Sequence, residues 1–298
     1  MIVSASRRTD IPAHYSDWFM NRIREGYVLA TNPRNAGQVR RVMLAPGDVD
    51  GFVFWTKNPA PMRKHLAALS AYACYFQVTV TPYGADVEPG VPDKEKSVIP
   101  AVLRLSDAIG PHRVVWRYDP ILLSAKYAKE FHYEAFDVMA RRFAGCVRGC
   151  TISFLDMYKN TARNAAALGL NPLAPSDMLE VAGTVASIAK GYGMEVRACA
   201  EPMDFSGLGI ARAKCVDPAI LEEISGRPIC AKPDKNQRPG CGCAASVDIG
   251  AYNTCPNGCK YCYANFSPAL TGDCSRVDPG GASLTGRRTA PARNAENE

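Results

Sequence analysis

The spacing of the twelve cysteines is the most informative chemical feature of this sequence. Three of them lie in the run Cys255-Pro-Asn-Gly-Cys259-Lys-Tyr-Cys262, a C-x3-C-x2-C pattern with Tyr261 directly before the last cysteine. Three thiolates this close on one loop can each bind one iron of a [4Fe–4S] cluster, which leaves the fourth iron without a protein ligand. Structural zinc usually takes C-x2-C pairs and four protein ligands, so the spacing favours an iron–sulfur cluster over zinc.

Four further cysteines could form a second metal site. Cys199, Cys215, Cys241 and Cys243 all precede the first motif, and Cys241-Gly-Cys243 is a tight pair that can give two ligands to one metal. We expect a second iron–sulfur cluster here, with structural zinc as the less favoured alternative. Cys230 competes with Cys199 for one ligand position, while Cys74, Cys146, Cys150 and Cys274 have no expected role in metal binding.

The composition limits the class of protein. The chain has 298 residues, 47% of them hydrophobic, and 35 basic against 29 acidic side chains give a net charge of +6. This apolar fraction excludes a wholly disordered chain. No apolar run reaches the roughly 20 residues that span a bilayer, and the first residues lack a signal-peptide pattern, so we expect a cytoplasmic protein with no membrane partner. In a reducing cytoplasm, nine cysteines crowded between Cys199 and Cys274 are typical of metal binding rather than disulfides.

Strand and helix patterns alternate before the cysteine-rich region. Short β-branched and aromatic runs predict strands at Ile2–Ala5, Gly51–Trp55, Tyr75–Thr81, Arg113–Tyr118, Cys150–Leu155 and Met194–Ala198. Amphipathic segments predict helices at Trp18–Ala30, Pro61–Leu69, Ser97–Ile109, Tyr133–Phe143 and Ser176–Lys190. Six strand–helix units favour an α/β fold with a parallel sheet, as a complete or partial TIM-like (β/α) barrel. An open doubly wound sheet is the alternative, although no GxGxxG follows the first strand.

The character of the sequence changes at Cys199. We expect residues 1–198 to form the barrel units, residues 199–274 to complete the barrel and carry the metal sites, and residues 275–298 to be a disordered tail. One strand candidate, Ser246–Tyr252, leads into the cysteine motif. If it packs beside Ile2–Ala5, the barrel is circularly permuted, and the cysteine loop still follows the carboxyl end of a strand.

Polar side chains follow several of the predicted strands. Because barrel active sites gather at the carboxyl ends of strands, we expect these side chains to meet in one pocket. The basic ones suit a carboxylate or phosphate, and the acidic ones suit hydroxyl or ammonium groups. The candidate catalytic residues are Arg7, Asp10, Lys57, Arg117, Asp119 and Glu201. The four histidines are scattered, and we expect His65 and His132, which lie in helical patterns, to face solvent.

The cysteine motif resembles that of the radical S-adenosylmethionine (SAM) superfamily. Over nearly its whole length before the tail, the chain resembles a bacterial family of radical SAM-type proteins known as a domain of unknown function. The segments that carry this resemblance are SASRRTDIP (Ser4–Pro12), WTKNP (Trp55–Pro59), RYDPI (Arg117–Ile121), CAE (Cys199–Glu201), KNQR with CGC (Lys235–Cys243), and SVDIGAYNTC with YCYAN (Ser246–Asn265). In the superfamily the motif usually follows the first strand, whereas here it lies near the carboxyl end of the chain.

The resemblance implies a [4Fe–4S] cluster on Cys255, Cys259 and Cys262 with SAM at the open iron, and Tyr261 and Asn58 among the cofactor contacts. It implies reductive cleavage of SAM to start radical chemistry on a substrate, with an electron donor such as flavodoxin or ferredoxin. It also favours Cys199 over Cys230 in the second cluster. No substrate is implied; a small molecule is favoured and a nucleic acid stays open.

Two other functions stay open at this point. The first is an iron–sulfur protein that binds or repairs nucleic acid, although the basic residues are dispersed and no nucleic-acid module is present. The second is a zinc-stabilised binding protein without catalysis.

Overall fold

A large parallel sheet dominates the computed structural model, which describes residues 1–33, 35–238, 240–266 and 277–285. Eight strands form this sheet in the order β10-β1-β4-β5-β6-β7-β8-β9, and β2 and β3 form a separate antiparallel hairpin. The predicted α/β fold with a parallel sheet is therefore confirmed. The strands are β1 (Ile2–Ala5), β2 (Tyr27–Asn32), β3 (Asn35–Met43), β4 (Gly51–Thr56), β5 (Cys74–Thr79), β6 (Val114–Ile121), β7 (Cys150–Phe154), β8 (Val196–Ala198), β9 (Ala211–Arg212) and β10 (Val247–Asp248).

The helices lie between the strands. Asp10 caps the first helix by accepting a hydrogen bond from the Ala13 N–H, and Asp217 caps the last one through the Ala219 N–H. Gly26 ends the second helix with a left-handed φ of 75°. The helices are α1 (Ile11–His14), α2 (Ser16–Glu25), α3 (Ile99–Ile109), α4 (Lys129–Phe143), α5 (Lys159–Leu168), α6 (Pro175–Gly191) and α7 (Pro218–Ser225).

The two faces of the sheet are covered by different parts of the chain. Alternate strand residues such as Phe54, Phe76 and Trp116 pack with the helices α1–α4 and α6 in the main core. The intervening residues, such as Val53 and Tyr75, pack on the segment 213–244, which includes α7. The cysteine-rich region therefore fills the face that the other helices leave uncovered, as period-two alternation in the strands requires.

The strand order distinguishes between the two architectures expected from the sequence. From β1 through β4 to β9 the order follows the chain without the reversal of a doubly wound sheet. β10 pairs in parallel with β1, with Val247 opposite Val3 and Asp248 opposite Ser4. β10 and β9 are the two edges, and within the described ranges no pairing joins them, so the sheet is not closed into a barrel.

Several elements differ from the sequence-based predictions. The helix expected to reach Ala30 ends at Glu25, because Gly26 turns the chain into the β2–β3 hairpin. The helix expected at Pro61–Leu69 is two short 3-10 segments, Ala60–His65 and Ala67–Leu69. The sequence analysis did not identify β2, β3, β9, α1, α5 or α7.

Two further expectations need correction. His132, on α4, does not face solvent but is fully buried. Residues 277–285, inside the stretch expected to be disordered, pack on α2: Trp18 Nε1 donates to the Gly281 carbonyl at 2.8 Å, and Leu284 is buried. The rest of that tail, and Cys274, lie outside the described residues. In the part of the chain that is described, no helix is long and apolar enough to cross a membrane.

Candidate functional site

A cavity of about 840 Å³ lies at the carboxyl ends of the parallel strands. Its wall includes polar side chains from the carboxyl-terminal parts of several strands and from the residues that follow them, as expected for a site in a parallel α/β protein. The structure brings together most of the residues singled out in the sequence. Those in the wall are Arg7, Asp10, Lys57, Arg117, Asp119, Cys199, Cys215, Cys241, Cys243, Cys255, Cys259, Tyr261 and Cys262.

Two of the predicted site residues lie just behind this wall. The Asn58 side-chain oxygen accepts a hydrogen bond from the Ala60 N–H at 3.1 Å, so it holds the start of a 3-10 segment. The Glu201 carboxylate accepts from the Phe154 N–H at 2.9 Å, and burial raises its pKa to about 7. Both side chains support the wall rather than face the cavity.

Asp10 fixes one side of the cysteine loop, Cys255–Cys262. Its Oδ2 accepts hydrogen bonds from the Lys57 N–H at 2.7 Å and from Asn257 Nδ2 at 3.1 Å. His14 Nε2 lies 2.9 Å from Asn257 Oδ1, so α1 holds the same amide from its other end. One carboxylate thereby joins the ends of β1 and β4 to the loop.

The segment Val87–Gly90 fixes the other side of the loop. The Lys260 N–H donates to the Val87 carbonyl at 2.9 Å, and the Gly90 N–H donates to the Asn257 carbonyl at 2.9 Å. The Tyr261 hydroxyl donates to Glu88 Oε1. The loop is therefore held along its length by backbone and side-chain bonds.

Glu88 is the centre of a buried charge network. Lys57 Nζ lies 2.8 Å from its Oε1, and Lys94 Nζ lies 2.7 Å from its Oε2. Burial alone would raise the pKa of Glu88, but the two ammonium groups lower it to about 2. Lys57 also lies over the Tyr261 ring, 5.4 Å from its centroid, so it reaches the face of the aromatic residue of the motif.

Cys255 is buried, Cys259 and Cys262 are half-buried, and the three thiols influence one another electrostatically. Burial raises the pKa of Cys255 to about 12, and Asp10 and Cys262 act in the same direction. Burial also raises the pKa of Cys259, which the nearby positive charge of Lys57 opposes. Lys57 is thus the cation placed to favour thiolates on this loop.

Another part of the cavity wall is cationic. Arg117 donates to Asp119 Oδ2 through Nε at 2.9 Å, and the hydroxyl of Ser153 donates to the other oxygen of the same carboxylate. The guanidinium groups of Arg117 and Arg7 lie 5.2 and 5.3 Å from the centre of the Trp55 ring. Burial disfavours the charge of Arg117, but Asp119 raises its pKa well above the ordinary value, so it stays protonated.

The four cysteines of the second group lie against one another beside this wall. Cys199 Sγ is 3.2 Å from Cys215 Sγ, and Cys243 Sγ accepts from the N–H of Val216, the residue after Cys215, at 3.4 Å. Cys230 is exposed and is not part of the cavity wall. Over the described ranges, no three or more His, Cys, Asp or Glu side chains already have the arrangement of a metal site.

The sequence analysis missed several residues that shape the cavity. Glu88 lies in a loop without any motif, so no local signal marked it. Arg238, which pairs with Asp156 and donates to the Cys199 carbonyl at 3.2 Å, belongs to the KNQR segment already noted in the sequence. Asp248 belongs to the SVDIGAYNTC segment, so its position in a motif was visible but its role was not.

Comparison with known proteins gives one family. A family model described as domain of unknown function (DUF1848) matches residues 2–264, which is most of the chain. No curated protein matches the chain. The match includes β1 at one end and β10 with the cysteine loop at the other. The segments that form the cavity therefore all lie within the part of the chain that the family model covers.

Proposed function

We propose that this chain, which belongs to the DUF1848 family, is a radical SAM enzyme. In this proposal Cys255, Cys259 and Cys262 hold a [4Fe–4S] cluster, and SAM binds at the iron that the thiols leave open. The observation that carries the proposal is that these three thiols line a single cavity at the carboxyl ends of parallel strands.

The chemistry of the donor set fits the cluster. Thiolates are the usual ligands of a [4Fe–4S] cluster, and the loop offers three of them within eight residues. The ammonium group of Lys57 lies close enough to influence Cys259 and Cys262, so it would offset part of the negative charge of the ligands. A cluster is larger than one ion, so its ligands need not surround a single point.

The size of the cavity suits the proposed ligands. Its volume of about 840 Å³ lies within the roughly 300–1,000 Å³ of small-molecule sites. When bound, the cluster and SAM supply one-electron chemistry that abstracts hydrogen from a substrate, with the electron coming from a donor such as flavodoxin or ferredoxin. A small-molecule substrate is the simplest occupant of the remaining space.

The protein's own side chains would bind and orient these ligands. Arg7 and Arg117, which both line the cavity near the Trp55 ring, would face an anionic group such as the carboxylate of SAM or of a substrate. Asp10 and Glu88 would keep the loop in place through Asn257 and Tyr261. They are positioning residues in this scheme, because they act through the loop.

We further propose that the sheet is a partial, circularly permuted barrel. The support is the parallel pairing of β10 with β1, which makes the strand before the cysteine loop the neighbour of the first strand. Asp248 Oδ2 accepts from the Arg7 N–H at 2.8 Å, so the loop begins beside the segment that follows β1.

The test is anaerobic purification followed by iron and sulfide analysis and incubation with SAM and dithionite. The intact protein should carry at least about four irons per chain and release 5′-deoxyadenosine. Changing Cys255, Cys259 or Cys262 to Ala should abolish this SAM cleavage. Cys146→Ala is the matched control, because Cys146 is half-buried and is not part of the cavity wall.

Each alternative function gives a different result. A cluster-replete protein that releases no SAM cleavage product would contradict the proposal and favour an iron–sulfur protein of another kind, such as a nucleic-acid-binding one. A colourless protein that contains only zinc would favour a zinc-stabilised binding protein.

A further inference from the structure

The thiols of Cys199, Cys215, Cys243 and Cys241 lie close together in one part of the cavity wall. Cys199 and Cys215 lie with their sulfur atoms 3.2 Å apart. Cys243 Sγ accepts a hydrogen bond from the Val216 N–H at 3.4 Å, directly after Cys215, and Cys241 precedes Cys243 by two positions. Three separate parts of the chain supply them: the end of β8, the segment after β9, and the Cys241-Gly-Cys243 turn.

The short distance between sulfur atoms argues for a single ion. Four thiolates at about 2.3 Å from one tetrahedral zinc lie about 3.8 Å from each other. Cysteines that hold a [4Fe–4S] cluster bind separate irons around a larger core and stand further apart. The Cys199–Cys215 contact would need to open by only about 0.6 Å to fit a tetrahedral ion, whereas a cluster would have to push the thiols apart inside a packed interior.

Charge in the surroundings provides an independent argument. Arg117 Nη1 donates to Cys215 Sγ at 2.9 Å, and the Arg117 side chain is buried. Arg7 lies beside Cys243 and Cys215, and its Nη2 is a buried nitrogen without a hydrogen-bond partner among the described residues. A buried donor of this kind needs an acceptor, and metal-bound thiolates supply one.

Positive charge beside this group favours thiolate ligands. Four thiolates around one zinc carry a net charge of −2, and the guanidinium groups of Arg7 and Arg117 would offset part of it, since Arg117 is also paired with Asp119.

We propose that Cys199, Cys215, Cys241 and Cys243 bind one tetrahedral divalent ion of the zinc class. The four thiols draw together around the ion on binding, and the thiol protons leave to solvent. Four protein ligands make this a closed, structural site. The ion would tie the segment 213–244 to the end of β8 and so hold one wall of the cavity. The proposal does not depend on the radical SAM function.

The test separates the two cysteine groups by metal content. In a variant of the full chain with Cys255, Cys259 and Cys262 all changed to Ala, about one zinc per chain should remain while iron is lost. Changing Cys241 and Cys243 to Ala should remove that zinc. Cys230→Ala is the control, because Cys230 is an exposed cysteine in the same region. Cobalt substitution offers a second measurement without mutating the site: tetrahedral thiolate ligation gives intense visible bands.

The remaining outcomes overturn the proposal. Iron and sulfide retained in the triple variant, with no zinc, would assign a cluster to the four cysteines. A metal-free protein with a Cys199–Cys215 disulfide would show that the short contact is a redox pair instead. Zinc that survives the loss of both Cys241 and Cys243 would place the ion elsewhere.

Discussion

His132 shows how a single buried side chain can link stability to pH. Its Nε2 lies 2.8 Å from the Leu122 carbonyl, which can only accept, so Nε2 carries the proton. Its Nδ1, 2.8 Å from the Tyr118 hydroxyl, then accepts. The neutral ring therefore satisfies both partners, and burial lowers the pKa of His132 below its ordinary value of 6.5.

We expect the free energy of unfolding to fall as the pH drops below about 6.5. The pKa of His132 is lower in the folded protein than in the unfolded chain, so the unfolded chain takes up the proton first. The stabilisation by the neutral ring is therefore complete only above the pKa of the unfolded chain. His132→Gln should flatten the pH dependence, because the amide can keep both hydrogen bonds without titrating. The measurement is urea unfolding between pH 8 and pH 5.

The control for this prediction is His112→Gln, since His112 is exposed. It should leave the pH dependence as in the parent protein. If the free energy of unfolding of His132→Gln changes with pH as steeply as that of the parent protein, the buried ring does not cause the pH dependence.

At the scale of elements, the cysteine loop depends on its close contact with Gly90. A Cβ built on Gly90 would overlap the Pro256 carbonyl oxygen and come within 2.9 Å of the Asn257 Cα. These are backbone atoms and cannot rotate away, so only glycine allows the loop to lie this close.

Gly90→Ala should therefore displace the loop without removing any thiol. We expect a loss of cluster iron together with destabilisation by about 1–3 kcal/mol, the usual cost of overpacking. Iron analysis and urea unfolding measure the two effects. Gly47→Ala is the control, because a Cβ there meets nothing within 4 Å. Full iron content in Gly90→Ala would mean that the loop can bind its cluster in another position.

At the scale of the whole molecule, Asp248 joins the two ends of the chain. Its carboxylate accepts from Ser4 Oγ at 3.1 Å, Ser6 Oγ at 2.6 Å, the Arg7 N–H at 2.8 Å and the Gly250 N–H at 3.0 Å. β10 is only two residues long, so these bonds supply much of what holds it to β1.

Asp248→Asn should destabilise the protein by about 1.5–3 kcal/mol, since an amide offers fewer acceptor sites and no charge. Chemical unfolding measures the difference. Asp107→Asn, at an exposed position on α3, should change the midpoint little. An unchanged midpoint in Asp248→Asn would show that the backbone pairing of β10 and β1 is sufficient on its own.

The sequence by itself determined what depends on local pattern. Alternating strand and helix runs gave the parallel α/β fold, and every predicted strand, including the one before the cysteine loop, is present within a few residues of its predicted bounds. The hairpin β2–β3 was not predicted, because the sequence of its first strand continues the amphipathic pattern of the preceding helix, which Gly26 ends. The grouping of polar residues at strand ends also follows from the parallel direction of the strands.

Only the tertiary structure decided which of these groups touch. Tyr261 and Glu88 are 173 positions apart, and Asn257 and Asp10 are 247 apart. The contact between Cys199 and Cys215, and the presence of Arg7 beside them, follow from the packing of the segment 213–244 on one face of the sheet. Side-chain type and spacing are properties of a short stretch of chain, whereas these distances and the burial of His132 depend on how distant stretches pack together, and no local pattern encodes that.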